Sequence, residues 1–420
     1  MQNPKNKLIL SLSFLNIFIF FIGFYLNENS AGAGGYSGDL SHVWKNLNIA
    51  LNSSFLETIE SHDYFSNRTP LLYFIHKYLN PFTSNIESFR CSVFFFSFFG
   101  LFLFYKCLRL NQSNNKYDLF FLSTLLLLSP YYRTSSYWAL EENFGVISVL
   151  LSIFFFSKNE KKPSLTNSIL SIFFSSLCVY FDQKLLIIPL LFFISEIFLK
   201  NKRNQKKIFI LFYFIFSIPY IYLIYKWKSI FPISHTNLHS LTNDLMWNNI
   251  LYSLTIISFY FFPFLIKEKD LIFQLKKLFF NRLFLIFLFI FFLLTMYINF
   301  YFVLPQFQYH SPLEGGGIIK KILIFAKITN DKNILLYLIS FLSFIIISIF
   351  NKNTKTFLII MFFIIISIFL YPLFQETYDP ILLILILLVI KKNTFFFKKD
   401  LYVINFYFFI FLAGAIIYYI

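Results

Sequence analysis

Carboxylates are scarce in this sequence, with 20 Asp and Glu among 420 residues, so their positions carry information. Many fall in five short stretches shared with Tyr, His, Arg or Lys. Asp39 and His42 follow the glycine-rich run Ala31-Gly32-Ala33-Gly34-Gly35. The stretch Ser129 to Trp138, which includes Arg133, leads into Glu141, Glu142 and Asn143. A third stretch is the compact Asp182-Gln183-Lys184. A fourth holds Gln308, Tyr309, His310, Glu314 and the triple Gly315-Gly316-Gly317, and a fifth reads Gln375-Glu376-Thr377-Tyr378-Asp379-Pro380. A positioned carboxylate can take a proton from a hydroxyl, and Arg or Lys can hold a phosphate-type anion. All five stretches border apolar runs, where ionisable groups are costly and are functional candidates by default.

The rest of the sequence says what must position them. It is 58% hydrophobic and 13% charged, with mean hydropathy +0.67, against ~25% charged for a soluble domain. A soluble globular enzyme and a disordered chain are both excluded. Three Cys without a CxxC exclude a disulfide scaffold and structural zinc, and there is no GxxxxGK[ST] or GxGxxG nucleotide motif. Apolar runs lie near 8–26, 89–105, 119–132, 140–157, 165–180, 185–199, 208–225, 246–266, 283–302, 334–350, 356–372, 380–390 and 401–420. They predict a single all-α integral membrane domain over 1–420, a polytopic transmembrane helical bundle of about eleven to thirteen helices. The run Leu8–Leu26 is longer than the ~7–15 residues of a signal-peptide core and reads as a retained first helix.

Charge orients the helices. With the N-terminus inside and the segments alternating, 24 of the 36 Lys and Arg but only 6 of the 20 acids fall inside. The inner side is then +18 and the outer side −2, a positive-inside pattern. The net charge of +16 is therefore a topology signal, and no nucleic-acid partner is expected. The five polar stretches share the outer face. The longest polar stretch, 27–88, is the first outer loop, with short helices expected from Asp39 to about Leu51 and from Thr69 to Leu79. In a second outer loop, 304–333, Ile318, Ile319, Ile322, Leu323 and Ala326 alternate with Lys320, Lys321 and Lys327 as in an interfacial amphipathic helix.

One helix, a large outer loop with an early acid, and an aromatic stretch before the second helix together resemble the GT-C superfamily of membrane glycosyltransferases. The residues carrying the resemblance are Gly38-Asp39-Leu40-Ser41-His42-Val43-Trp44 and Asp63-Tyr64-Phe65-Ser66-Asn67-Arg68-Thr69-Pro70-Leu71-Leu72-Tyr73-Phe74. Tyr131 to Ser135 with Glu141-Glu142-Asn143 stands where the family has a second outer acid. Phe181-Asp182-Gln183-Lys184 is loosely similar to the dolichyl-phosphate-glucose-dependent glucosyltransferases. The resemblance covers about the first 190 residues. It implies transfer of a sugar from a polyprenyl-phosphate donor to a glycan, lipid or protein acceptor on the extracytoplasmic face, with membrane lipids as neighbours. Many members have adjacent Asp-Glu in the first loop, whereas this chain has Asp39-Leu40. Some relatives use a divalent metal, but no ligand spacing here supports one, and no cofactor is expected.

Such a transfer needs a base, a phosphate site and an apolar groove. Asp39 is the candidate base, or else a helix N-cap. His42, one turn along, orients substrate or is an ordinary loop histidine. Glu141 and Glu142 contact substrate or a cation, or else serve a helix dipole. Arg133 is the first candidate for phosphate, followed by Lys184 and Arg68. Asp182 and Lys184 could instead pair across a turn. His310 belongs to the fourth stretch. Glu376 and Tyr378 are candidates for sugar hydroxyls, whereas Asp379 reads as a cap before Pro380. Lys320 and Lys321 dock the interfacial helix on anionic lipid. An O-antigen polymerase or ligase, and a lipid-linked glycan flippase, are the competing classes. Their usual marks, a large late loop and repeats with midplane charges, are not found in this sequence. The Phe, Ile, Lys and Asn bias suggests an AT-rich bacterial genome, hence a bacterial inner membrane with the N-terminus cytoplasmic.

Overall fold

The computed structural model describes residues 4–32, 34–66, 68–198, 203–229, 245–267, 271–301, 317–325, 334–351, 354–370, 373–392 and 394–419. Every regular element among the described residues is helical. The chain forms two compact units. One comprises Met1–Ser240, Lys391–Leu401 and Phe408–Ile420, and the other Leu241–Ile390 and Tyr402–Tyr407.

The first unit opens with α1 (Pro4–Tyr25). A π-helical turn, Tyr36–Leu40, then runs directly into α2 (Ser41–Asn52). Next come α3 (Phe55–Glu60) and α4 (Leu71–Leu79). The helices expected near 39–51 and 69–79 are therefore present, and α3 is an addition. It starts at a reciprocal capping box between Ser54 and Glu57, which satisfies two otherwise orphaned backbone donors. The long α5 (Ile86–Asn111) begins where the Asn85 side chain accepts from the backbone N–H of Ser88.

The next apolar run is not one helix. It folds as α6 (Lys116–Thr124), a 3₁₀ turn Leu125–Leu128, and α7 (Pro130–Tyr137), which Ser129 caps with Pro130 in the first turn. The helix α8 (Glu142–Lys161) leaves α7 at 119°. At this bend Ala139 adopts φ 57, a left-handed conformation rare for a residue with a Cβ. Three residues then link α8 to α9 (Leu165–Phe181), and the two pack as a helical hairpin. A 3₁₀ turn, Gln183–Leu186, leads to α10 (Ile187–Phe198) and then α11 (Arg203–Trp227).

The second unit is organised on α12 (Asn249–Phe261). It also contains α13 (Leu271–Phe279), α14 (Arg282–Tyr301), α15 (Gly317–Phe325), α16 (Ile334–Phe350), α17 (Thr354–Ile368) and α18 (Ile381–Leu385). Helices α15, α16 and α17 pack on α12. Asn249 anchors the end of α17 by donating to the carbonyls of Ser367 at 2.9 Å and Leu370 at 2.5 Å. The chain closes with α19 (Lys398–Tyr419).

Five helices are long and apolar enough to cross a membrane: Asn6–Tyr25, Ile86–Asn111, Lys206–Trp227, Asn249–Ile266 and Lys398–Tyr419. Counting the bent pairs α7–α8 and α13–α14 as one span each gives seven among the described residues. The protein is an integral membrane protein, with fewer full-length spans than the eleven to thirteen expected. The difference is one of length. Leu165–Phe181, Leu335–Phe350 and Thr354–Ile368 are apolar but short, and the run at 380–390 is one turn of α18 followed by a π turn.

At one end of the first unit, Lys398 donates to Asn6, Lys392 pairs with Glu160, and Asn111 donates to Ser157. At the other end Arg133 is fully buried. Its Nε donates to Glu28 Oε1 at 2.7 Å, and Nη2 meets the second oxygen of the same carboxylate. Nη1 and Nη2 also donate to the carbonyls of Leu127 and Ile19, both at 3.1 Å. A Cβ at Gly23 would collide with this ion pair, so glycine is what lets α1 approach. Arg133 thus fastens α1 to α7 and has no open face for the phosphate expected there. Removing one partner of a buried pair costs about 3–5 kcal/mol. Arg133→Met should therefore lower the melting temperature in detergent, and Glu28→Met/Arg133→Met should recover part of the loss.

Candidate functional site

The polar centre of the first unit lies where α4, α8 and α9 meet the segment 61–70. Arg68 is its hub. One terminal nitrogen, Nη2, pairs with Glu142 Oε1, and the other, Nη1, lies 3.7 Å from Glu141 Oε2. The two glutamates differ in setting. The Glu141 side chain is 3% exposed, and its Oε1 accepts from the Tyr73 hydroxyl at 2.5 Å and the Ser66 hydroxyl at 3.4 Å. The Glu142 side chain is 22% exposed, and its Oε2 has no hydrogen-bond partner among the described residues.

Each member is positioned by its element. The bend at Ala139 brings the adjacent glutamates to the start of α8. Hydrogen bonds hold Arg68 and Thr69 in place. Tyr64 donates to the Arg68 carbonyl at 2.9 Å, and Thr69 donates to the Tyr180 carbonyl at the end of α9 at 2.7 Å. Asp182 and Lys184 lie just beyond, close enough for their charges to act on Glu142. The Asp182 carboxylate accepts from the Lys184 backbone N–H at 3.1 Å, the local turn that the sequence allowed as an alternative. Arg68 and Lys184 thus face Glu141, Glu142 and Asp182 in one cluster. Burial, reinforced by the Glu141 charge, pushes the Tyr64 and Tyr73 phenols well above their ordinary range. Tyr73 therefore stays a proton donor to Glu141.

The helix α2 reaches this centre through a residue that sequence reasoning passed over. Asn46 donates to the Phe65 carbonyl at 2.8 Å and accepts from the Phe65 N–H at 3.0 Å; it also lies 3.5 Å from the Tyr73 hydroxyl. His42, one turn earlier on the same face, sets its exposed ring against Phe65 at 5.6 Å. Asp39 precedes His42 by three residues, in the π turn that begins this face. A buried Asn four residues after His42 was the available signal. Ser66 and Tyr73 stood in the noted motif without an assigned role.

An apolar groove of about 430 Å³ adjoins the centre. Phe173, Leu177 and Tyr180 of α9 form one wall, Phe216 and Pro219 of α11 form the other, and Thr69 lies at the Arg68 end. Thr69 and Tyr180 thus belong both to the groove and to the hydrogen bond that holds the charged centre.

The remaining expected residues lie elsewhere. Arg133 is in the ion pair described above. Glu376 and Tyr378 belong to the second unit, where Tyr378 is fully buried and stacked on Phe363 at 5.1 Å. Glu376 sits beside Lys321, and Lys320 lies over the Tyr252 ring at 5.6 Å. The predicted helix after the glycines is present as α15. His310 lies outside the described residues. Among the described residues no three His, Cys, Asp or Glu side chains form a metal-binding group. No family model matches the chain, and neither does any curated protein or solved structure.

His76 ties this centre to pH. It is 4% exposed in α4, edge-on to Phe89 at 4.9 Å and Phe144 at 5.3 Å, with Asn80 donating to Nδ1 at 3.0 Å. Burial lowers its pKa to about 4 from an ordinary 6.5. The unfolded chain therefore binds the proton first. Stability is complete above pH ~6.5 and falls as pH drops toward ~4, by about 3 kcal/mol in total. Melting curves in detergent should show this acid-side loss, and His76→Leu should flatten it.

Proposed function

We propose that this protein is a membrane glycosyltransferase. It takes one sugar from a polyprenyl-phosphate carrier and passes it to a glycan, lipid or protein acceptor at the extracytoplasmic face of a bacterial inner membrane. The observation that carries the reading is the shared boundary of the Arg68 centre and the apolar groove. A phosphate attached to a long hydrocarbon chain needs these two surroundings side by side.

The chemistry follows from the parts. The acceptor oxygen attacks the anomeric carbon while a carboxylate removes its proton. Asp39 is assigned that role because the face it begins continues through His42 and Asn46 to the centre. The bond from sugar to phosphate oxygen breaks, its electron pair leaves with the polyprenyl phosphate, and the cationic side chains of Arg68 and Lys184 hold that charge. The phosphate role first sought at Arg133 moves to Arg68. The side of the membrane follows from charge. The Lys-rich helix ends around Lys7, Lys158, Lys161 and Lys398 are cytoplasmic by the positive-inside rule, and the Arg68 centre is at the opposite end of the same helices.

Purified protein should transfer a radiolabelled sugar from polyprenyl phosphate to a membrane-extract acceptor. Asp39→Asn should lower the rate by roughly 10²–10⁴, the usual worth of a general base. Full activity of that variant would remove Asp39 from the role, and no transfer from any polyprenyl-phosphate sugar would remove the function. A phosphatase reporter fused after residue 60 is expected to be active outside the cytosol. Cytosolic activity would reverse the assigned face.

A further inference from the structure

The two glutamates on Arg68 are not equivalent, and the difference assigns them separate work. A buried guanidinium needs one counter-charge to avoid a heavy desolvation penalty. Glu141 supplies it from a fixed position, with its side chain 3% exposed and held by Tyr73 and Ser66. Glu142 is a second counter-charge on the same cation. Its side chain is the more exposed of the two at 22%, its Oε1 holds Nη2 directly, and its Oε2, itself buried, has no hydrogen-bond partner among the described residues. With both in place the two terminal nitrogens of Arg68 already face carboxylates.

We propose that Glu142 is a displaceable counter-ion. It caps Arg68 when the site is empty and gives up Nη2 to the phosphate of an incoming prenyl phosphate. Glu141 is the positioning residue that keeps Arg68 in place throughout. The arrangement keeps Arg68, next in the chain to the groove-lining Thr69, compensated between turnovers. It also sets a threshold, since only an anion able to outcompete a carboxylate already on the cation enters. Lys184, whose charge already acts on Glu142, is a cation available to the released carboxylate. The inference rests on the proposed lipid-phosphate site but does not require sugar transfer.

The test is binding of farnesyl phosphate to the full-length protein in detergent, with farnesol and inorganic phosphate as companion ligands. Glu142→Gln should tighten farnesyl phosphate roughly tenfold, the scale of a typical coupling between two competing occupants. Glu141→Gln should weaken it and lower the melting temperature. Arg68→Gln/Glu142→Gln, which removes the cation together with its cap, should bind no more tightly than wild type. Farnesol should not distinguish the variants, and inorganic phosphate should bind at least tenfold more weakly, having no chain for the groove. Unchanged or weaker binding by Glu142→Gln would overturn the proposal, as would the absence of binding by every variant. Equal affinity for inorganic and farnesyl phosphate would overturn the lipid assignment. Tight, Glu142-sensitive binding without sugar transfer would sink the enzymatic reading and leave the counter-ion role standing.

Discussion

A charge placed among apolar helices must be neutralised by what the bundle itself supplies, and this requirement shapes the first unit. Arg133 meets it completely, through both oxygens of Glu28 and two backbone carbonyls, and is sealed. Arg90 meets it with the carbonyls of Tyr137 and Phe24 and the side chain of Asn27, stacked against Phe24 and Trp138. Arg68 meets it differently. It is flanked by two carboxylates, one tied by Tyr73 and Ser66 and the other with a buried oxygen that no hydrogen bond among the described residues satisfies. Three arginines in one bundle thus show two outcomes. Complete internal satisfaction makes a rivet, and incomplete restraint of a partner leaves a position that can respond to a ligand.

The helices around Arg68 are arranged to hold that cluster still. Thr69 on Tyr180, Tyr64 on the Arg68 carbonyl, and Asn46 on both backbone groups of Phe65 fix the irregular segment that carries the guanidinium. The left-handed Ala139 and the 119° turn after α7 deliver two consecutive glutamates to one spot. Strain of roughly 1–3 kcal/mol at such a residue persists only where the surroundings over-determine it. Here Trp138 on one side and Asn143 to Ile147 of α8 on the other are buried.

Helices were legible from the sequence almost throughout, because apolar runs bounded by charge, Pro or Gly are strong signals. The structure has a helix beginning or running through most of the runs named. Their lengths were not legible. Nothing in Leu125 to Leu128 announces a change to 3₁₀ winding, and hydropathy alone does not separate a 17-residue helix from a spanning one. At the site, types and neighbourhoods were readable and pairings were not. Glu141, Glu142, Arg68, Asp182 and Lys184 were all selected, yet nothing near Arg133 in the sequence showed that its guanidinium is closed off in an ion pair. The deciding residue was Glu28, which lies 105 positions from Arg133. Local spacing cannot report an ion pair across that separation. Asn46, Ser66 and Tyr73 were missed for the same reason, since their importance comes from what they touch.

The groove adds an argument about what kind of donor such a site could use. Its α11 wall belongs to a helix of spanning length that is only 11% buried among the described residues, an apolar surface suited to lipid. A soluble sugar nucleotide would need polar contacts for a base and two phosphates, and the lining beyond Thr69 is largely aromatic and aliphatic. A single phosphate at the Arg68 end, with hydrocarbon trailing along α9 and α11 into the bilayer, would use each surface for what it is.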